Sequence, residues 1–375
     1  MILSEAQQQI RDMTQQFAQE KIKPHSSEWD RTRRFPIEMI QEMGQLGLMG
    51  MLVPEVWGGS DTGYVAYASA IEAIASADGA CSTIMSVHNS VVCMPILKYG
   101  SDQQKQQFLI PLAQGEMLGA FALTEPQAGT DASHLKTRAI KKGDDYIITG
   151  SKHFITSAQH ADVVIVFAVT DPEKGKKGIS AFLVPTDIAG YSVLRLEEKM
   201  GQHASDTGQI QLDQIQLSKD YLLGEEGEGY KIALDNLAGG RIGIASQSVG
   251  MAQASLDEAV QYAKERYAFG QPIINHQAVA FRLADMATQV AVARQMVWHA
   301  ASLREAGQSA LVEASMAKLF ASEMAERVCS GAIQTLGGYG YLKDFPLEQI
   351  YRDVRITQIY EGTSDVQRMV IARGL

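Results

Sequence analysis

VVIVFAV (residues 163–169), ISAFLV (179–184) and YSVLRL (191–196) are short β-branched and aromatic runs parted by Gly, Pro and Asp turns. They decide the fold. Just before them, Tyr146–Thr149 has the same composition. Just after, Gln209–Leu217 places Ile210, Leu212, Ile215 and Leu217 in alternation with one slip at Asp213-Gln214, which predicts a β-bulge. Strands this short and closely spaced predict a small antiparallel barrel or sandwich over residues 121–225 rather than a parallel sheet.

Outward from this segment the period becomes helical. Residues 1–120 read as helices with breakers: Gly44, Gly47 and Gly50, Pro54, the Trp57-Gly58-Gly59 turn, then an apolar stretch from Val65 to Leu97. After Gly229 only Pro272 and Pro346 remain, so residues 226–375 can form long helices. There Val279, Leu283, Met286, Val290, Ala293, Val297 and Ala300 make a heptad seam stopped by Gly307. Ala310, Ala314, Ala317, Ala321 and Ala325 make a stripe of small residues closed by Gly337-Gly338, a C-cap pair. Two such helices, with one more on each side, predict a four-helix bundle. The fold class is therefore α+β multidomain: a helical domain at 1–120, a β-domain at 121–225 and a helical bundle at 226–375, with a cleft where the β-domain meets the helices.

The 375 residues carry 33 Lys plus Arg against 43 Asp plus Glu, a net charge of −10. That balance lacks the basic footprint needed for nucleic acid or an anionic membrane. The longest wholly apolar run, Val163–Val169, falls far short of the ~20 residues that span a bilayer. The N-terminus has neither a signal-peptide nor a transit-peptide pattern. Cys81, Cys93 and Cys329 are too scattered for a disulfide framework, which fits a reducing compartment. Cytoplasm is the simplest expectation; a processed mitochondrial matrix form would read the same way.

Generic motifs exclude several chemistries. Gly227-x-Gly229 and Gly338-x-Gly340 are followed at the required third place by Ile232 and Lys343, so no dinucleotide fingerprint is present. There is no Walker A loop, no His-Glu-x-x-His and no Gly-x-Ser-x-Gly elbow. His153 and His160 lie close in sequence, but no Cys or carboxylate cluster completes a metal shell, so no metal is expected.

Five strings then decide the matter together. Leu123-Thr124-Glu125-Pro126-Gln127-Ala128-Gly129-Thr130-Asp131 resembles the first sequence pattern of the acyl-CoA dehydrogenase family, and Gln334–Tyr341 resembles the second. Ile359-Tyr360-Glu361-Gly362-Thr363-Ser364 is similar to the family's catalytic-base loop. Gly240-Arg241-Ile242-Gly243-Ile244-Ala245 and Arg266-x-x-Phe269-Gly270 with His276-Gln277 match in the same order and spacing. The resemblance runs from Leu3 to the C-terminus and is nearest to the short-chain and branched-chain members.

The resemblance implies a helical–β–helical fold, usually a homotetramer, with FAD held between domains by loops and by a neighbouring subunit. It implies α,β-dehydrogenation of a short acyl-CoA, straight or branched, to the trans-2-enoyl-CoA, with hydride passing to flavin N5 and electrons to an electron-transfer flavoprotein. Glu361 would be the base; as an arbitrary residue it would instead be a solvated carboxylate. Some relatives carry the acid just before the arginine matching Arg241, and here that position is Gly240. Gly362 would let substrate approach the backbone, and Ala238, Gly240 and Arg241 would line its path. Phe121, Ala122, Leu123, Thr124, Gly129 and Thr130 would wrap the flavin through backbone amides, with Thr130 also near CoA. Read without the resemblance, Glu125–Gly129 is a turn entering the β-domain.

Phe154-Ile155-Thr156 stands where the family has Trp-Ile-Thr, keeping an apolar wall and losing an indole N–H. Arg266, Phe269 and Gln277 would meet FAD across a subunit interface, although Arg266 also reads as a plain surface charge. Gln334, Leu336, Gly337 and Gly338 would close on the pyrophosphate, and Thr363, Ser364 and Asp365 on the ADP portion. Departures from the family pattern at Ala238, His134, Gln349, His203 and Gly208 concern CoA handling rather than the base. The Ile84–Ser90 helix would line the acyl tail. An oxidase reoxidised by oxygen, a non-catalytic flavin-binding scaffold and a monooxygenase are the competing readings.

Overall fold

In the computed structural model, which describes residues 1–375, the alternating middle segment forms eight strands. They are β1 (Gly119–Ala122), β2 (Arg138–Lys142), β3 (Asp145–Thr156), β4 (Val163–Val169), β5 (Ile179–Pro185), β6 (Tyr191–Leu196), β7 (Thr207–Ser218) and β8 (Leu222–Leu223). They pair in the order β6-β7-β3-β2-β4-β5-β8, with β1 also on β4. Most pairings are antiparallel as the pattern predicts, but β1 and β2 both run parallel to β4, so the sheet is mixed. The reason is the 123–137 loop, which returns the chain to one edge of β4: β1 covers Val163–Val166 and β2 then meets Val169.

β4 is buried along its whole length because it packs on both faces. Val163, Ile165 and Phe167 face a helical layer that includes Phe108, Leu112 and Ile232. Val164, Val166 and Ala168 face Ile148, Phe182 and Leu212 of the sheet interior. Ile148 pairs with Ile215 and Gly150 with Leu212, so Asp213-Gln214 oppose a single residue, the bulge expected at that slip. Gln214 takes a left-handed φ of 51° there, and Leu212 and Ile215 both stay inward.

The C-terminal helices are Gly229–Glu265, Gln277–Glu305, Leu311–Leu336, the short Leu347–Val354 and Ser364–Arg373. The seam from Leu283 to Ala300 and the alanines at 314, 317, 321 and 325 share one core. Gly337 caps the third of these helices at φ 61°, a conformation that favours glycine. In the N-terminal part, the Gly63–Ala75 helix packs on both the Gly229–Glu265 and the Gln277–Glu305 helices.

The continuous helical stretch Gly79–Tyr99 is, by length and composition, apolar enough to cross a membrane, although no run of purely apolar residues reveals it. Most of it, 83% of its most apolar 18-residue window, is buried inside the protein, the behaviour of a core helix. Its polar residues are satisfied there: His88 Nε2 lies 2.9 Å from the Leu112 carbonyl, and Asn89 donates to Leu48 and Met85.

Candidate active site

Glu361 lies in a bare loop between a short 3-10 turn, Arg355–Gln358, and the helix that begins at Ser364. Thr363 caps that helix, its Oγ1 accepting from the Val366 N–H at 3.3 Å. Glu361 and Gly362 both have positive φ, 54° and 92°. For a glutamate this is strained, and the surroundings hold it. Gln367 Nε2 donates to the carbonyls of Glu361 (3.1 Å) and Gly362 (2.8 Å), and Lys318 Nζ donates to the Gly362 carbonyl at 2.7 Å. On the other side Tyr360 donates to Gln247 Oε1, while Gln247 Nε2 donates to the Gly79 carbonyl and Ser82 Oγ. With the carbonyls engaged, the N–H groups of Glu361, Gly362 and Thr363 donate to nothing in the protein.

The Glu361 residue is partly covered, but its Oε2 is fully buried and has no hydrogen-bond partner. Gly240 presses against it: a Cβ there would overlap Oε2 and stand 2.7 Å from Cδ and 2.8 Å from Oε1. Two cations share the pocket. Arg241 is 3% exposed, gives Nη1 to Ser315 Oγ at 3.2 Å and leaves Nε without a partner. Lys318 is fully buried. Burial pushes the Glu361 carboxyl up to about 7, while Arg241 and then Lys318 pull it back. Burial likewise pushes Lys318 down to about 7, against the attraction of Glu361.

The structure sorts the sequence-predicted residues into three groups. Gly240, Arg241, Glu361 and Gly362 converge at the carboxyl. Ala238 lies in the bundle core, Thr363 is a helix cap, Ser364 Oγ is buried and unpaired, and Asp365 is exposed. The second group is Phe121, Ala122, Leu123, Thr124, Gly129 and Thr130 with Phe154, Ile155 and Thr156. His153 N–H donates to the Thr124 carbonyl at 2.9 Å and Lys152 Nζ to the Leu123 carbonyl at 3.1 Å, which ties the two segments together. Ala122 and Ile155 are buried in the sheet core, so only their backbones can serve a ligand. Phe154 is 63% exposed at a left-handed φ of 58°. The third group is Arg266, over the Tyr339 ring at 5.7 Å, with Phe269, Gln277, Gln334, Leu336, Gly337 and Gly338. Leu336 is buried, whereas Gln277, Gln334 and both glycines are exposed. No hydrogen bond or ion pair joins this group to the first two.

These residues fit a flavin dinucleotide. Phe154 offers an uncovered aromatic wall, and a Cβ at Gly129, Gly337 or Gly338 would meet nothing within 4 Å, so their backbones stand open. Ser364 adds a buried hydroxyl with no protein partner.

Sequence reading missed two buried lysines. Lys318 falls four residues after Ala314 and three before Ala321, on the buried stripe of its helix, so its position was a legible flag. Lys152 sits two strand positions beyond Gly150 and four beyond Ile148, on the inward face of β3. It pairs at 2.8 Å with Glu125, which also accepts the N–H groups of Lys136 and Thr137. Burial pushes Glu125 up, but Lys152 and those hydrogen bonds outweigh it and hold the carboxyl at about 2. This ion pair anchors the loop that leads to Gly129.

Three family descriptions match the chain in order: acyl-CoA dehydrogenase N-terminal domain at residues 4–116, middle domain at 120–215 and C-terminal domain at 227–375. The mitochondrial short-chain specific acyl-CoA dehydrogenase of Rattus norvegicus is 45% identical over 370 residues, covering 99% of this chain and 90% of that protein. Among solved structures, butyryl-CoA dehydrogenase from Megasphaera elsdenii superposes with TM-score 0.98 at 41% identity, covering 100% of this chain and 99% of that one. A chain solved in work on the electron transferring flavoprotein of Acidaminococcus fermentans and flavin-based electron bifurcation gives TM-score 0.98 at 44% identity, covering 100% and 98%. On these matches the chain belongs to the acyl-CoA dehydrogenase family and is an FAD-dependent oxidoreductase.

Proposed function

We propose that this enzyme dehydrogenates a short saturated acyl-CoA, straight or branched, to its trans-2-enoyl-CoA, with Glu361 as the base and an electron-transfer flavoprotein as the electron acceptor. The observation that carries the reading is the Glu361 carboxyl: buried, unpaired at Oε2 and poised near neutral pH. A general base works best when its proton affinity matches the working pH, and an ordinary glutamate is far too weak. FAD, when bound, supplies the acceptor for the hydride that leaves the β-carbon. Glu361 takes the α-proton, and the free N–H groups at 361 and 362 are donors for the charge that then gathers on the thioester oxygen. Arg241 and Lys318 keep enough of the carboxyl ionised to act at neutral pH.

Short-chain preference and the flavoprotein acceptor are supported by the rat and Megasphaera relatives and by the Acidaminococcus chain. A homotetramer is part of the proposal. Phe269 is 97% exposed and Tyr341 85%, with Tyr267 and Phe281 also uncovered, large aromatic side chains of the kind a neighbouring subunit would cover. Arg266 directly precedes Tyr267 in the chain.

The test is anaerobic addition of butyryl-, isobutyryl-, hexanoyl- and octanoyl-CoA to the purified flavoprotein. Butyryl- or isobutyryl-CoA should bleach the oxidised flavin fastest, with little peroxide formed when air is admitted. Glu361→Gln should retain flavin and lose bleaching; bleaching at the wild-type rate would remove Glu361 from the mechanism.

A further inference from the structure

Lys318 is a cation placed where the fold has no packing need for one. Its helix neighbours on the same stripe are Ala314, Ala317, Ala321 and Ala325, all fully buried. A methionine would fill that space without desolvating a charge. An ammonium carries three donors, and here a single hydrogen bond, to the Gly362 carbonyl, is made. That carbonyl belongs to the residue after Glu361. Ser315, one turn earlier on the same helix, takes Arg241 Nη1. One helix therefore fixes both cations around the base, but only Lys318 touches the base loop.

We propose that Lys318 is a positioning residue for the reaction: it pins the base loop through the Gly362 carbonyl, and its charge governs how readily Glu361 releases its proton. This inference rests on the reading of Glu361 as base. The charged and titratable groups facing Glu361 are Arg241 from the Gly229–Glu265 helix, Lys318 from Leu311–Leu336, Tyr67 from Gly63–Ala75, and Tyr360 beside it. Lys318 itself faces Glu361, Arg241 and Glu323. The tyrosines are neutral in the working range, since burial raises both above their ordinary value. With Lys318 protonated and Glu361 ionised, the two cations and one carboxylate sum to +1; with Lys318 removed, or deprotonated above the neutral range into which burial pushes it, they sum to zero. Removing a positive charge makes the carboxylate harder to form, so ionisation of Glu361 moves to higher pH.

The experiment uses holoenzyme carrying Lys318→Gln, which keeps a donor for the carbonyl and loses the charge, together with Lys318→Met, Lys318→Arg and Glu361→Gln. Two readouts are followed from pH 6 to 9.5. One is the rate of anaerobic flavin bleaching by butyryl-CoA. The other is enolate absorbance on binding 3-oxobutyryl-CoA, whose α-proton is acidic enough to leave without oxidation. In both, the midpoint for Lys318→Gln and Lys318→Met should rise by about one unit or more, a deficit of about fivefold or more at pH 7 that closes toward pH 9. Lys318→Arg, charged throughout this range, should have its midpoint at or below the wild-type value. A uniform loss at every pH with an unmoved midpoint would overturn the charge role, as would an arginine variant shifted as far as the glutamine one. If Lys318→Met does not fold, the Gln–Arg pair decides the question. Bleaching by Glu361→Gln at the wild-type rate would overturn the base reading and this inference with it, whereas coincident midpoints in an enzyme that needs Glu361 would overturn only the inference.

Discussion

Gly240→Ala isolates the position of the proposed base, Glu361, from its identity. In a helix interior, alanine is ordinarily favoured over glycine by up to about 1 kcal/mol, so a bystander position should gain stability. At 240 the added Cβ would overlap Glu361 Oε2 and stand 2.7 Å from its Cδ. Restoring ordinary contact requires the carboxyl to retreat by about 1 Å, and a misplacement of that size costs on the order of 100-fold in rate. Overpacking costs about 1–3 kcal/mol, which roughly cancels the helical gain and leaves the melting temperature within a few degrees of wild type. Stopped-flow bleaching by butyryl-CoA, flavin content and a holoenzyme melt measure the three quantities. The adjacent Gly239→Ala is the internal control, because its Cβ would meet the Tyr64 ring and hydroxyl at 3.6 Å and Ser90 Cβ at 3.8 Å, all ordinary contacts. It should lose no more than about threefold. A Gly240→Ala enzyme that keeps its flavin and bleaches as fast as Gly239→Ala would refute the placement of the carboxyl.

Glu361→Gln should also change how stability depends on pH. The folded carboxyl titrates near 7 against an ordinary 4.5, so the folded state binds the extra proton and stability declines as pH rises between those values. The full penalty, up to about 3 kcal/mol, applies above pH 7, so the glutamine variant should melt higher than wild type at pH 8 and alike at pH 4. Glu125→Gln or Lys152→Met alone leaves a buried charge unanswered and should cost about 3–5 kcal/mol with loss of flavin, while the double substitution recovers much of the stability; melting and flavin absorbance read both. Tyr360→Phe strands Gln247 Oε1 and should cost about 1–3 kcal/mol in denaturant unfolding, with a slower bleaching rate because the base loop loses its inner tether.

Strand alternation and the heptad seam carried most of the fold, because both record burial directly in residue spacing. The slip at Asp213-Gln214 was legible for the same reason: a bulge must keep Leu212 and Ile215 on the inner face. Pairing direction was not, since whether β1 and β2 run parallel to β4 depends on where the 123–137 loop lands, which no local pattern encodes. Glu361 was legible only through its neighbours in the chain, for nothing in an isolated glutamate announces burial. The lysines are the instructive omission. Lys318 and Lys152 sit at positions that periodicity assigns to the interior, and a charge on an interior position is itself a signal.

The Glu361 loop shows how one set of contacts can serve geometry and the proposed reactivity together. A glutamate at positive φ costs about 1–3 kcal/mol, and it persists only where surrounding bonds over-determine it. Gln367 and Lys318 do so by taking the carbonyls of Glu361 and Gly362, which leaves the N–H groups at 361 and 362 unspent. The bonds that fix the strained turn thus also leave donors free for negative charge arriving on a ligand. The ammonium of Lys318 acts twice over, since the group that fixes the loop also opposes the burial that would otherwise keep Glu361 protonated. Burial alone would give a carboxylic acid too reluctant to lose its proton, and full solvation a carboxylate too weak to take one. Between those limits, the buried cations set the Glu361 carboxyl near neutrality, the range in which the proposed removal of an α-proton and its later release are both feasible.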